Sequence, residues 1–299
     1  MWNRRAARSW IVVIGICCLG ALQPKACGLL PGQAKPIRLF STGDSITRAF
    51  DADLPADNVY LSWVNGYHGF WENLLGLPDI KSHNERITAN FGSNGRTNDM
   101  GAVNGARVDD LATQAAGAAG KDVTYATVML GGNDVCRDTI ADLPTDAEFE
   151  ANFRAGMATL LANLNPGATV QVVGIPNIKR LYDIGKDKIA LGIVDCQTLW
   201  QATAIGFPCG SMLSPDNTED DRLFVQSRNV AYNAILQRVT DELDAANPQF
   251  ITFADAYAYD FAESDISNID CFHPSWRGQE ALSREIWNVG LFRNFTKGG

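Results

Sequence analysis

Histidine is scarce in this chain: His68, His83 and His273 are the only three in 299 residues. Chemistry that needs a base near neutral pH must therefore draw on one of them. No C-x-x-C pair occurs among Cys136, Cys196, Cys209 and Cys271, which takes away the usual zinc spacing and leaves two disulfides as the expectation in an oxidising compartment. The G-x-S-x-G nucleophile elbow is missing too. Positive charge runs short: 25 Lys and Arg stand against 34 Asp and Glu, a net charge of -9. Such a chain repels phosphate backbones, so nucleic acid is excluded as a partner. The apolar run Trp10–Leu22 is shorter than the ~20 residues a spanning helix needs.

What is present is the composition of a globular protein, 46% hydrophobic and 20% charged. Arg4, Arg5 and Arg8 precede the Trp10–Leu22 run, the order of a secretory signal peptide. Gly32-Gln33-Ala34 offers a cleavage site, and Leu19-Gly20-Ala21 a poorer one. Residues 1–34 are therefore expected to be removed and 35–299 to form one catalytic domain, secreted or periplasmic. Lys25, just before Ala26-Cys27, argues against a lipid anchor.

Along the rest of the chain, apolar runs alternate with helical periodicity. Strands are expected at 37–42, 123–130, 168–173 and 250–253, and helices at 108–119, 145–164, 219–243 and 276–292. This βαβα rhythm implies an α/β fold, a mostly parallel sheet with helices on both faces and functional residues at the carboxyl ends of the strands. Tyr67, Phe70, Trp71, Leu74 and Leu75 recur at helical spacing, and the expectation is a helix packing them into the core. Residues 92–105 read as a Gly- and Asn-rich loop. Residues 175–218 break the rhythm and read as an ordered flap over the top of the sheet. Trp63, Trp200 and Trp276 are candidates for core packing, an acyl pocket or a sugar platform.

His68 falls in the aromatic segment and His83 in a polar, surface-like stretch, and both are expected to be structural. His273 differs, because Asp270 lies three residues earlier, where a carboxylate in a turn can hold the second imidazole proton. Ser45 follows Gly43-Asp44 directly after the first strand, where a glycine turn can expose its hydroxyl, although Asp44-Ser45 alone would serve equally as a helix cap. Asn133, after Gly131-Gly132 at the end of another strand, can offer a neutral amide to an oxyanion. Gly105 can offer a backbone N–H where a side chain would obstruct.

Gly43-Asp44-Ser45, Gly105, Gly131-Gly132-Asn133-Asp134 and Asp270 to His273 resemble, in order, the four blocks of the SGNH (GDSL) hydrolases. The resemblance implies a three-layer α/β/α sandwich, no metal or other cofactor, a Ser45, Asp270 and His273 triad, and an oxyanion hole built from Ser45, Gly105 and Asn133. The Cys136 and Cys271 contexts are similar to the phospholipase B-like branch. If the triad forms, these two cysteines flank loops that meet, so Cys136–Cys271 and Cys196–Cys209 are the expected bridges. The implied substrate is a small-molecule, lipid or carbohydrate carboxylic ester, which leaves room for transient contact with a lipid surface. Acyl transfer through the same serine, carbohydrate O-acetyl ester cleavage and a silent secreted binding protein are the rival functions.

Overall fold

A computed structural model describes residues 37–202, 209–290 and 292. The expected signal peptide, with Cys17, Cys18 and Cys27, lies outside the described residues. In chain order the elements are β1 (Arg38–Gly43), α1 (Phe70–Leu75), α2 (His83–Phe91), β2 (Thr97–Met100), α3 (Leu111–Ala116), β3 (Tyr125–Met129), α4 (Gly132–Val135) and α5 (Asp146–Ala162). The series continues with β4 (Thr169–Val173), α6 (Ile178–Gly185), β5 (Ile189–Ala190), β6 (Val194–Asp195) and α7 (Cys196–Gln201). It closes with α8 (Gly210–Leu213), α9 (Glu219–Ala246), β7 (Phe250–Ala254) and α10 (Trp276–Val289).

Five strands form one parallel sheet in the order β2-β1-β3-β4-β7. β3 and β4 are buried at every position, as strands covered on both faces must be. The register shows how the layers lie. Phe40 pairs with Ala126 and Leu39 with Tyr125, so Phe40 and Tyr125 point to opposite faces. Phe40 meets Gly117 at the end of α3, and α3 packs on α5, which packs on α9. The Tyr125 hydroxyl lies 2.8 Å from Nδ1 of His83 in α2, and the His83 ring meets Trp287 of α10 edge-on. Helices thus cover both faces: the α/β/α sandwich. Both long helices start on capping boxes, Thr145 with Glu148 in α5 and Thr218 with Asp221 in α9.

Three expectations change. β2 lies inside the segment read as loop; its sequence Thr-Asn-Asp-Met lacks a strand pattern because, as an edge strand, it is only half-buried. α1 does form, but with its apolar side outward: Phe70 is 71% and Trp71 67% exposed, Leu74 and Leu75 are exposed as well, and no residue of α1 is buried. Glu72, on the polar side, is the only residue of α1 that is not exposed, and it caps the helix through the Gly69 N–H. His83, expected near the surface, is buried between Tyr125 and the Ser283 carbonyl, and burial drives its pKa down to about 3. Its structural role stands, as a neutral ring in the core.

Candidate active site

β1 delivers the Gly43-Asp44-Ser45 turn to the carboxyl edge of the sheet. A Cβ on Gly43 would sit 2.1 Å from the Thr47 hydroxyl, so only glycine lets the chain fold back this tightly. Gln114 of α3 fixes the same residue from both sides: its carbonyl accepts the Gly43 N–H at 2.8 Å, and its amide donates to the Gly43 carbonyl at 2.9 Å. Ser45 itself is 9% exposed, and its N–H meets no acceptor among the described residues.

β3 delivers the second segment. Gly131 adopts φ +113°, a conformation only glycine takes without strain, and turns the chain into α4. The Asn133 amide donates to the Ala106 carbonyl at 2.9 Å, which occupies one of its two protons. The Asp134 carboxylate accepts the Val108 N–H at 2.9 Å, so two side chains of this turn grip the 105–108 segment. Gly105 stands at the start of that segment with φ +75°, exposed, and outside the lining of the cleft described below.

The third segment follows β7. One carboxylate oxygen of Asp270 accepts the N–H groups of Phe272 (2.9 Å) and His273 (3.0 Å), and the other accepts Nδ1–H of His273. Nε2 of His273 lies 2.8 Å from Oγ of Ser45, a contact between residues 228 apart in sequence. The loop is held from behind: the Ser267 N–H donates to the His273 carbonyl at 2.8 Å, the Ser267 hydroxyl donates to the Asp51 carbonyl, and the Trp276 N–H donates to the Ala52 carbonyl at 2.9 Å. The Phe50 ring packs against the imidazole, with centroids 5.4 Å apart. The serine's own downstream segment therefore braces the histidine.

Charge in the site is negative. Burial alone would push the His273 pKa down, but the charge and hydrogen bond of Asp270, with the charges of Asp44 and Asp51, outweigh it and hold the pKa above its ordinary value. Asp44 rises to about 6 because it is buried, against the opposing pull of the Ile46 N–H and His273. Burial also raises Asp51, assisted by the charge of Asp270. Asp134 rises to about 7, again through burial. Among the described residues no group of three or more His, Cys, Asp or Glu side chains is arranged to hold a metal ion.

Ser45, Asn133 and His273 line one open cleft of about 390 Å³, whose apolar walls include Ile178 and Leu181 of α6 and Phe272. None of the three tryptophans singled out in the sequence lines it. Trp63 is wholly buried, and Trp276 packs under the Arg277 guanidinium. Trp200 is buried, and its indole N–H donates to the Asp270 carbonyl at 2.9 Å.

The bridges are not the expected ones. Cys136 pairs with Cys209 and Cys196 with Cys271, at Cα separations of 4.1 and 5.9 Å. Cys196 and Cys209 both belong to the flap, so the Cys136 loop and the Asp270–His273 loop are each stapled to the flap and not to one another. Sequence reasoning also missed Gln114 and Asp51. Gln114 carries no signal in an amphipathic helix, and Asp51 acts through a backbone turn at φ +53° that no motif marks.

The model of the GDSL-like lipase/acylhydrolase family matches residues 39–286. The chain belongs to this family. It is accordingly a carboxylic ester hydrolase. Among curated proteins no sequence matches. Solved structures similar to it include a family 3 carbohydrate esterase of Clostridium thermocellum, at 15% identity and TM-score 0.46, with 87% of this chain and 98% of that one covered. An extracellular lipase of Streptomyces rimosus aligns at 16% identity and TM-score 0.49, covering 85% and 99%. A phospholipase A1 of Streptomyces albidoflavus aligns at 15% and 0.42, covering 86% and 100%. Likenesses this distant add nothing to the family assignment.

Proposed function

We propose that this GDSL hydrolase is an exported serine esterase that works through an acyl-enzyme on Ser45. The observation that carries the reading is the 2.8 Å approach of Ser45 Oγ to His273 Nε2, with Asp270 bonded to the opposite ring nitrogen. His273 takes the hydroxyl proton as the oxygen attacks the ester carbonyl, and Asp270 keeps Nδ1 protonated and steadies the imidazolium. The oxyanion that forms is received by the Ser45 N–H and the second amide proton of Asn133. His273 then gives its proton to the departing alcohol. Water, deprotonated by the same histidine, attacks the acyl-serine, and collapse of the second tetrahedral intermediate frees the acid and restores Ser45.

Residues 1–34 are read as the export signal, and two disulfides support an oxidising destination. The test is direct. Wild-type protein should hydrolyse p-nitrophenyl acetate and take up one fluorophosphonate label at Ser45. Ser45→Ala and His273→Ala should each lower kcat on the order of 10⁶-fold, with unchanged circular dichroism. Turnover retained in either folded variant would remove Ser45 and His273 from these roles.

A further inference from the structure

β5 and β6 pair antiparallel into a two-rung hairpin closed by Leu191-Gly192-Ile193. Its side chains are on the wrong side for stability: Ile189 is 53%, Leu191 64% and Ile193 81% exposed. Leu191 also holds a left-handed backbone, φ +49°, where asparagine or glycine would be at ease. An aliphatic side chain at that position carries both backbone strain and solvent exposure, with no return in the folded monomer. The hairpin's place supplies a reason. The Leu191 N–H donates to the Asn268 carbonyl at 2.7 Å, two residues from Asp270. Cys196, the next residue after β6, is bonded to Cys271 between Asp270 and His273. α6, which walls the cleft with Ile178 and Leu181, leads straight into the hairpin. The apolar tip therefore stands beside the loop that carries the proposed base and is joined through α6 to the cleft wall.

We propose that this hairpin is an interfacial anchor that seats the active-site mouth on a zwitterionic lipid–water surface. Aliphatic side chains on a protruding turn can enter the boundary between headgroups and acyl chains, and each one buried there strengthens partition by about tenfold. Charge selects the kind of surface. The cations nearest the tip are already engaged: Lys186 pairs with Asp187, Lys188 donates to the Glu263 carbonyl and Arg180 pairs with Asp260. With a net charge of -9, the chain as a whole is repelled by an anionic surface. The outward face of α1 is the rival anchor, but its segment is tied to Tyr60 and Glu85, whereas the hairpin is bonded directly to Asn268 and, through Cys196, to Cys271.

The proposal rests on the esterase reading, and the test separates the two. Hydrolysis of dissolved p-nitrophenyl butyrate is measured beside sedimentation with phosphatidylcholine vesicles and hydrolysis of an ester dispersed in them. For Leu191→Asn with Ile193→Ser we expect vesicle binding and dispersed-ester hydrolysis to fall at least tenfold while dissolved-ester turnover is unchanged. Wild-type protein that turns over the dissolved ester without binding vesicles would overturn the anchor alone. So would loss of binding in Phe70→Ser with Trp71→Ser but not in the hairpin variant, or tighter binding to vesicles containing phosphatidylserine. Protein inactive on both substrates would instead count against the esterase reading.

Discussion

Asp134 should be more comfortable uncharged than charged. Its carboxylate is 3% exposed and its pKa stands near 7 against an ordinary 3.8, because burial strips water from the anion faster than the Val108 N–H replaces it. The folded chain thus binds this proton more tightly than the unfolded chain does. Its contribution to stability is greatest below pH 4 and declines as pH rises toward 7. A shift from 3.8 to about 7 amounts to about 4 kcal/mol lost at full ionisation, at about 1.4 kcal/mol per unit. Asp134→Asn removes the charge yet keeps a carbonyl oxygen for the Val108 N–H. In urea titrations followed by tryptophan fluorescence, the variant should gain about 2–4 kcal/mol over wild type at pH 8 and nearly nothing at pH 3.5. Asp134→Ala differs in kind: the Val108 N–H is orphaned, costing about 1–3 kcal/mol, and the 105–108 segment loosens against Asn133, so kcat should fall as well. An Asn variant whose advantage is equal at both pH values, or absent at pH 8, would refute the burial argument.

Because His273 must be neutral to accept the serine proton, hydrolysis should fail as pH drops through its raised pKa, and the acid limb of kcat/KM should lie above pH 6.5. Asp51→Asn removes one of the charges holding that pKa up and should move the limb toward lower pH, read from a pH–rate profile. Gln114→Leu orphans the Gly43 N–H and leaves the Gly43 carbonyl with the Val103 N–H alone, and should cost about 1–3 kcal/mol in thermal or urea unfolding, with a fall in kcat on p-nitrophenyl acetate. The cystines span 73 and 75 residues, so opening either by paired Cys→Ser substitution should cost about 4 kcal/mol. The Cys196 and Cys271 pair should cost more activity, since Cys271 lies inside the histidine loop. Asn133→Ala should lower kcat about 10²- to 10³-fold with little change in KM, measured under saturating ester.

β3 and β4 were readable in the sequence because strands buried on both faces carry few polar residues, as Tyr-Ala-Thr-Val-Met and Thr-Val-Gln-Val-Val do, and β1 was readable because its Leu39-Phe40 run ends in Gly43. β2 escaped for the converse reason: an edge strand of Thr, Asn, Asp and Met declares itself only through its pairing with β1. Periodicity located the apolar side of α1 but could not say which way that side turns, since spacing records a stripe and not its neighbour. Ser45, Asp270 and His273, which the fold brings within reach of one another, could be singled out because they lie in short blocks, Gly43-Asp44-Ser45 and Asp270 to His273. Which cysteine meets which was not legible, because pairing depends on the path of the flap, and that path is set by tertiary packing. Gln114 and Asp51 belong with the cysteines: Gln114 holds the backbone of Gly43, and the Asp51 carbonyl accepts the Ser267 hydroxyl, in each case a partner far away in the sequence.

The Cys196–Cys271 staple sets an order on biosynthesis. On the proposed mechanism the nucleophile, Ser45, is translated 228 residues ahead of His273, and Asp270 and the half-cystine Cys271 come with the histidine. On that mechanism a nascent chain carries an unactivated serine until the segment from β7 to His273 has left the ribosome and paired with β4, where Cys271 can bond to Cys196. Chains cut short before residue 270 would then carry the serine without its base and should be born inactive.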